Sequence, residues 1–293
     1  MSPQFAKLLG ILMERRPSGD LSVEQLRAGM ESTAFPASGD VTVEADSIDG
    51  VAVERISAAG VATDQLLIYL HGGGYVMGSP NTHRKLAADL SRASGAPVLL
   101  PDYPLAPEHP FPAAIDAVTA LYESTLASGT APSKVAIAGD SAGGGLTVAT
   151  LLSLRARRVR LPAAAALLSP WVDLIPGRGY DPLLVERDPI TTPERLDRMA
   201  GWYLDGADAH DPLASPIGAD LTGLPPLLIQ VGGSEILVDD ARELAANAGA
   251  CGVDVTLEVW PDMVHVWQIF AGRVPEATDA VARIGEFVST RLS

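Results

Sequence analysis

The sequence has one cysteine, Cys251, among its 293 residues, so no disulfide can form within the chain. Basic charge is scarce as well. Lys and Arg number 21 against 36 Asp and Glu, a net charge of −15. That excess repels phosphate backbones and anionic lipid headgroups, which argues against nucleic acid or a membrane surface as a partner. Only three of the basic residues are lysines, and with the abundant alanine this points to a GC-rich bacterial coding sequence. Long apolar runs are missing too. The stretch from Leu8 to Met13 is too short to span a bilayer and ends in Glu14-Arg15-Arg16. It also lacks the length and small-residue cleavage site of a signal peptide. Phe5, Leu8, Leu9, Leu12 and Met13 instead follow helical spacing, so a short amphipathic helix in a cytoplasmic protein is expected. No repeat or low-complexity tract interrupts the chain.

What is present is a globular composition, 47% apolar and 19% charged, enough for a sizeable core. Alternation at Val41-Thr42-Val43-Glu44 and Val51-Ala52-Val53-Glu54 predicts half-exposed antiparallel strands at a sheet edge. Nearly unbroken apolar runs follow at 66–70, 97–100, 135–138, 164–168 and 227–231. Such runs suit a parallel sheet covered by helices on both faces. Helix-length amphipathic stretches lie between and after them, at 83–93, 112–126, 144–157, 237–250 and 277–292. The class is therefore α/β with a mostly parallel sheet. The alternation breaks between about 174 and 219. There Thr192 can cap a helix with Pro193 at its first position, and Leu196, Met199, Ala200 and Tyr203 share one face. The expected organisation is N-terminal helices at 1–40 forming part of a cap, core at 41–174, a cap insertion at 175–219, and core again at 220–293.

The run at 135–138 leads directly into Gly139-Asp140-Ser141-Ala142-Gly143 and then a helix. G-x-S-x-G in the context strand, sharp turn, helix marks a serine nucleophile. The run at 66–70 leads into His71-Gly72-Gly73-Gly74-Tyr75, where glycines leave backbone N–H groups free to meet an oxyanion. A phosphate cradle would need the Walker lysine or a G-x-G-x-x-G, and neither is here. Five histidines compete for the role of base. His71 is expected to hold the glycine loop in shape, His83 and His109 to be structural or exposed, and His210 to sit in the cap. His265 lies in the loop between the strand expected at 253–259 and the last helix, where the order serine, acid, histidine places the base. For the acid, Glu235, Asp239 and Asp240 all follow the run at 227–231. Glu235, nearest the strand end, is favoured.

With these residues in place the sequence resembles the bacterial hormone-sensitive-lipase family of carboxylesterases. The resemblance rests on His71-Gly72-Gly73-Gly74 and Gly139-Asp140-Ser141-Ala142-Gly143-Gly144. It extends to the segment from Asp102-Tyr103-Pro104 to Phe111-Pro112, to Ser169-Pro170-Trp171-Val172-Asp173 and to Asp211-Pro212-Leu213. It implies the α/β-hydrolase fold with a helical cap, the triad Ser141, Glu235 and His265, and an oxyanion hole from the N–H groups of Gly73, Gly74 and Ala142. This chain departs from the usual family pattern in Pro104, where arginine is common, and in Glu235, where aspartate is commoner. The implied reaction is hydrolysis of short- to medium-chain esters through an acyl-enzyme, with no metal or organic cofactor. Neutral His265 as base implies activity that falls as pH drops through its pKa, near about 6.5 if unperturbed. A lactone hydrolase using the same triad is the first alternative and an amidase a further one. A non-catalytic small-molecule-binding relative is the alternative from another class, disfavoured by the presence of His265. Phe5, Phe35, Tyr75, Trp202 and Tyr203 are candidates for the pocket wall, and Cys251 is expected to be a small buried residue. A homodimer through the edge strand at 253–259 is also implied.

Overall fold

A strand that is apolar at every position can be buried only if both faces of its sheet are covered, and the structure meets that condition. The computed structural model describes residues 1–16, 19–37 and 39–292. Its strands are β1 (Val41–Ile48), β2 (Val51–Ala58), β3 (Leu66–Leu70), β4 (Val98–Pro101), β5 (Val135–Asp140), β6 (Ala164–Leu168), β7 (Leu227–Gly232) and β8 (Val255–Trp260). They form one eight-stranded sheet in the order β1-β2-β4-β3-β5-β6-β7-β8. From β4 to β8 every pairing is parallel, whereas β2 runs antiparallel to both β1 and β4. This is the α/β-hydrolase fold.

The helices are α1 (Pro3–Glu14), α2 (Val23–Glu31), α3 (Pro80–Ser94), α4 (Ala113–Ala127), α5 (Ala142–Ala156), α6 (Pro182–Arg187), α7 (Pro193–Leu204), α8 (Val238–Ala250) and α9 (Pro275–Leu292). Side chains alternate across each strand and divide the core in two. On β5, Val135 and Ile137 join Leu146 of α5 and Leu244 of α8 on one face. Ala136 and Ala138 face Leu86 of α3 and Ile284 of α9 on the other.

The N-terminal pair divides between these layers. Phe5 of α1 is fully buried in the core layer that also holds α9, and Ser2 ties α1 to Glu276. Leu26 of α2 joins the opposite layer, and Arg27 bonds the carbonyls of Val76 and Ala106. Contacts to the 175–219 segment come from Arg16, which donates to the Val185 carbonyl, and from Asp20 and Leu21, which receive Arg198. In α7 the N-cap is Thr192, its hydroxyl accepts from the Arg195 N–H, and Leu196, Met199, Ala200 and Tyr203 are buried. The short α6 was not legible in the sequence.

Two expectations need correction. The β1 alternation buries neither face: residues 42–47 of this edge strand are all exposed, and only its ends, Val41 and Ile48, pack against the core. Cys251 is half-buried rather than core, with its sulfur receiving the Leu221 N–H at 3.4 Å. Among the described residues no helix is long and apolar enough to cross a membrane.

Candidate active site

Ser141 closes β5 and opens α5, and it is held at φ 52°, ψ −120°, a conformation side chains other than glycine seldom adopt. The tight turn needs bare backbone beside it. A Cβ on Gly143 would stand 2.0 Å from the Leu70 carbonyl oxygen at the end of β3. Nothing larger than glycine fits there. Ser141 keeps 9% of its surface accessible.

The loop after β3 is fixed against this elbow by Asp140. Its Oδ1 accepts from the Tyr69 hydroxyl at 2.7 Å and the Gly72 N–H at 3.0 Å, and His83 Nε2 lies 3.4 Å away. Burial pushes the Asp140 carboxyl up, but His83 and the Tyr69 bond outweigh it and hold the group below its ordinary value. His71 is sandwiched between Tyr103, 4.2 Å centroid to centroid, and His83, 5.4 Å. Burial and His83 push the His71 ring down to about 3, so it stays neutral. Its Nδ1 bonds the Gly72 carbonyl oxygen at 2.9 Å, the loop-shaping role expected of it. Gly73 adopts φ 127°, and a Cβ there would stand 2.1 Å from the Met77 carbonyl oxygen. The N–H groups of Gly73 and Gly74 meet no acceptor among the described residues, and Ala142, as the first residue of α5, has no intrahelical one.

Glu235 follows β7 and is fully buried, while His265 follows β8 with 7% of its surface accessible. His265 Nδ1 lies 3.5 Å from Glu235 Oε1, longer than the roughly 3 Å of a formed hydrogen bond but still an ion-pair contact. Ser169, just past β6, joins the pieces. Its hydroxyl donates to Glu235 Oε2 at 2.9 Å and accepts from the Val266 N–H at 3.1 Å. Two residues on, the Trp171 N–H donates to the Ser141 carbonyl oxygen at 2.9 Å. Ser169 and Val266 share the positive φ of Ser141, at 47° and 50°. Three of the positive-φ residues are thus joined by hydrogen bonds at this site, as backbone strain is at many functional sites.

Electrostatics separate the pair. Burial raises the Glu235 carboxyl, against the lowering effects of His265 and Ser169. For His265, burial pushes the ring down, but the close Glu235 carboxylate, with the charges of Asp188 and Asp140, outweighs it and lifts the ring above 6.5. The rival acids lie elsewhere. Asp239 is exposed and paired with Arg242. Asp240 is buried beside Arg178 at 3.3 Å, its carboxyl raised by burial to about 7. His109 and His210 are exposed.

Of the candidate wall residues, Tyr75 and Tyr203 stack at 3.9 Å, and Trp171 packs 6.0 Å from Tyr75. Phe5 lies in the core and Phe35 packs against Phe270 and Arg273. Trp202 packs under Arg198 and lines a cavity of about 340 Å³ between α7 and the segment before α2. Sequence reading gave no role to the Asp140 side chain, Ser169 or Asp188. A polar residue ending an apolar parallel strand, as Ser169 does, was the available signal.

The alpha/beta hydrolase fold family model matches residues 67–269. An acetyl-hydrolase of Streptomyces hygroscopicus is 48% identical over 224 residues, 76% of this chain and 75% of its own length. A crystal structure of an esterase from the bacterial hormone-sensitive lipase family superposes with a TM-score of 0.96 at 46% identity, covering 100% of this chain and 99% of that one. The esterase EstE5, in crystals soaked with p-nitrophenyl butyrate, gives the same TM-score and identity, with 100% of this chain and 99% of that one covered.

Proposed function

Since the chain belongs to the bacterial hormone-sensitive-lipase family of α/β-hydrolases and is a carboxylic ester hydrolase, we propose that Ser141, His265 and Glu235 form its triad. The observation that carries this reading is the convergence on Ser169 of the acid, the base loop and the segment bonded to the elbow. His265 directs Nδ1 at Glu235, which leaves Nε2 for the serine.

In this mechanism Nε2 takes the hydroxyl proton as Ser141 Oγ attacks the ester carbonyl. The N–H groups of Gly73, Gly74 and Ala142 receive the oxyanion. As the C–O bond to the alcohol breaks, His265 gives its proton to the leaving alkoxide and an acyl-serine remains. Water then gives a proton to the same nitrogen, attacks the acyl carbon and releases the acid, and the proton returns to Ser141. Glu235 orients the ring and balances its charge while it is an imidazolium.

The 175–219 segment and the N-terminal helices act as a cap. The acetyl-hydrolase and the esterase soaked with p-nitrophenyl butyrate, both similar to this chain, support short- to medium-chain esters as the substrates. The outer edge of β8 is the proposed seam of a homodimer, and the lone thiol is consistent with a cytoplasmic enzyme.

The test is hydrolysis of p-nitrophenyl esters from acetate to laurate by wild type, Ser141→Ala and Glu235→Gln. The expected result is a peak at short chains, a loss of at least about a thousandfold in the serine variant and of about a hundredfold or more in the glutamine variant. Full activity in Glu235→Gln would overturn the assignment of the acid.

A further inference from the structure

Asp188 is fully buried, yet it comes from the cap segment, at the end of α6. Its Oδ1 accepts from the N–H groups of Ile190 at 2.9 Å and Thr191 at 3.0 Å, which fixes the turn leading into α7. Its Oδ2 reaches across to the core and accepts from the N–H of Ile236 at 3.1 Å. Ile236 is the residue directly after Glu235. Three backbone N–H donors thus converge on one carboxylate, two from the turn and one from the loop after β7.

We infer that Asp188 is a positioning residue through which the cap sets the catalytic acid. One carboxylate binds the cap turn with one oxygen and the acid loop with the other, so the seating of the cap and the placement of the Glu235 carboxylate are one event. The 3.5 Å contact between Glu235 and His265 is the distance this arrangement controls. This inference rests on the triad proposed above. The charged groups facing His265 are Glu235 from the loop after β7, Asp188 from the cap and Asp140 from the end of β5. Glu235 is faced by His265, Asp188 and the Ser169 hydroxyl. Asp188 therefore also acts at a distance, as a negative charge that favours the imidazolium.

The experiment compares wild type, Asp188→Asn, Glu235→Gln and the double variant on p-nitrophenyl butyrate, with pH profiles and thermal melts for each. Asp188→Asn is nearly isosteric and removes the charge. The expected result is a kcat about tenfold lower, KM within about twofold, and an acid limb moved to lower pH. In the Glu235→Gln background the same substitution should cost less than about twofold, because its route to the base is already gone. If Asp188→Asn does not fold, Asp188→Glu takes its place. That variant keeps the charge but displaces the carboxylate, so kcat should fall while the acid limb stays near the wild-type position. An unchanged kcat and limb in Asp188→Asn, or an undiminished loss in the double variant, would overturn the inference. Wild-type activity in Glu235→Gln alone would instead overturn the triad.

Discussion

Burial and the neighbouring carboxylates pull His265 in opposite directions, and with His265 as the proposed base the outcome sets the working pH. Burial favours the neutral ring; Glu235, with Asp188 and Asp140 behind it, favours the charged one and prevails. A raised pKa means the ring is protonated, and useless as a base, up to a higher pH than a free imidazole. The acid limb of kcat/KM should therefore lie above 6.5, and Glu235→Gln should move it down. A limb at or below 6.5 in the wild type, read from p-nitrophenyl butyrate hydrolysis, would contradict this balance. The elbow at Ser141 was legible in the sequence because G-x-S-x-G ends an apolar run, and the loop of His265 because it lies between the last strand and the last helix. Ser169 and Asp188 were not, because their meaning lies in partners at 235 and 266, or 236, that no local pattern announces.

Glycines decide how closely the elements approach at the site. The elbow between β5 and α5 is pressed against the end of β3, and Gly143 is the point of contact. Gly143→Ala should force the elbow away from the oxyanion loop and lower kcat/KM by about a hundredfold or more, the scale of losing one oxyanion donor. Activity within a few-fold of wild type, in a steady-state assay on a folded variant, would show that the contact can relax. The central parallel strands were readable because burial on both faces leaves them almost wholly apolar, and α7 because Thr192 and Pro193 announce its start. Helix α6 escaped notice because six residues are too few to display a period. For β1 the alternation was real but misleading, since only the two ends of this edge strand, Val41 and Ile48, reach the core.

Across the whole molecule, the sheet ends in two unlike edges. The β1 edge is exposed along its length, whereas β8 is half-buried along most of its length and parallel to β7, with its other side unpaired among the described residues. Unpaired edges are templates for pairing, and β8 is the side proposed to meet a second copy. Sedimentation at micromolar concentration should show a dimer; a monomer at every concentration would remove the proposal. The layer architecture was legible, because apolar runs alternating with amphipathic stretches permit little else. How the N-terminal helices divide was not. Phe5 goes to the core layer of α9, while Leu26 goes to the opposite one and Asp20 and Leu21 to Arg198 of α7, and that choice depends on surfaces assembled from distant segments.

The central claim is that Ser141 is the nucleophile. Treating the protein with a p-nitrophenyl alkylphosphonate and mapping the modified peptide by mass spectrometry tests it most directly. The account predicts one phosphonyl group per chain, on Ser141, with activity lost in proportion and no labelling of Ser141→Ala. Inactivation with the label on another residue, or labelling that leaves activity intact, would contradict it.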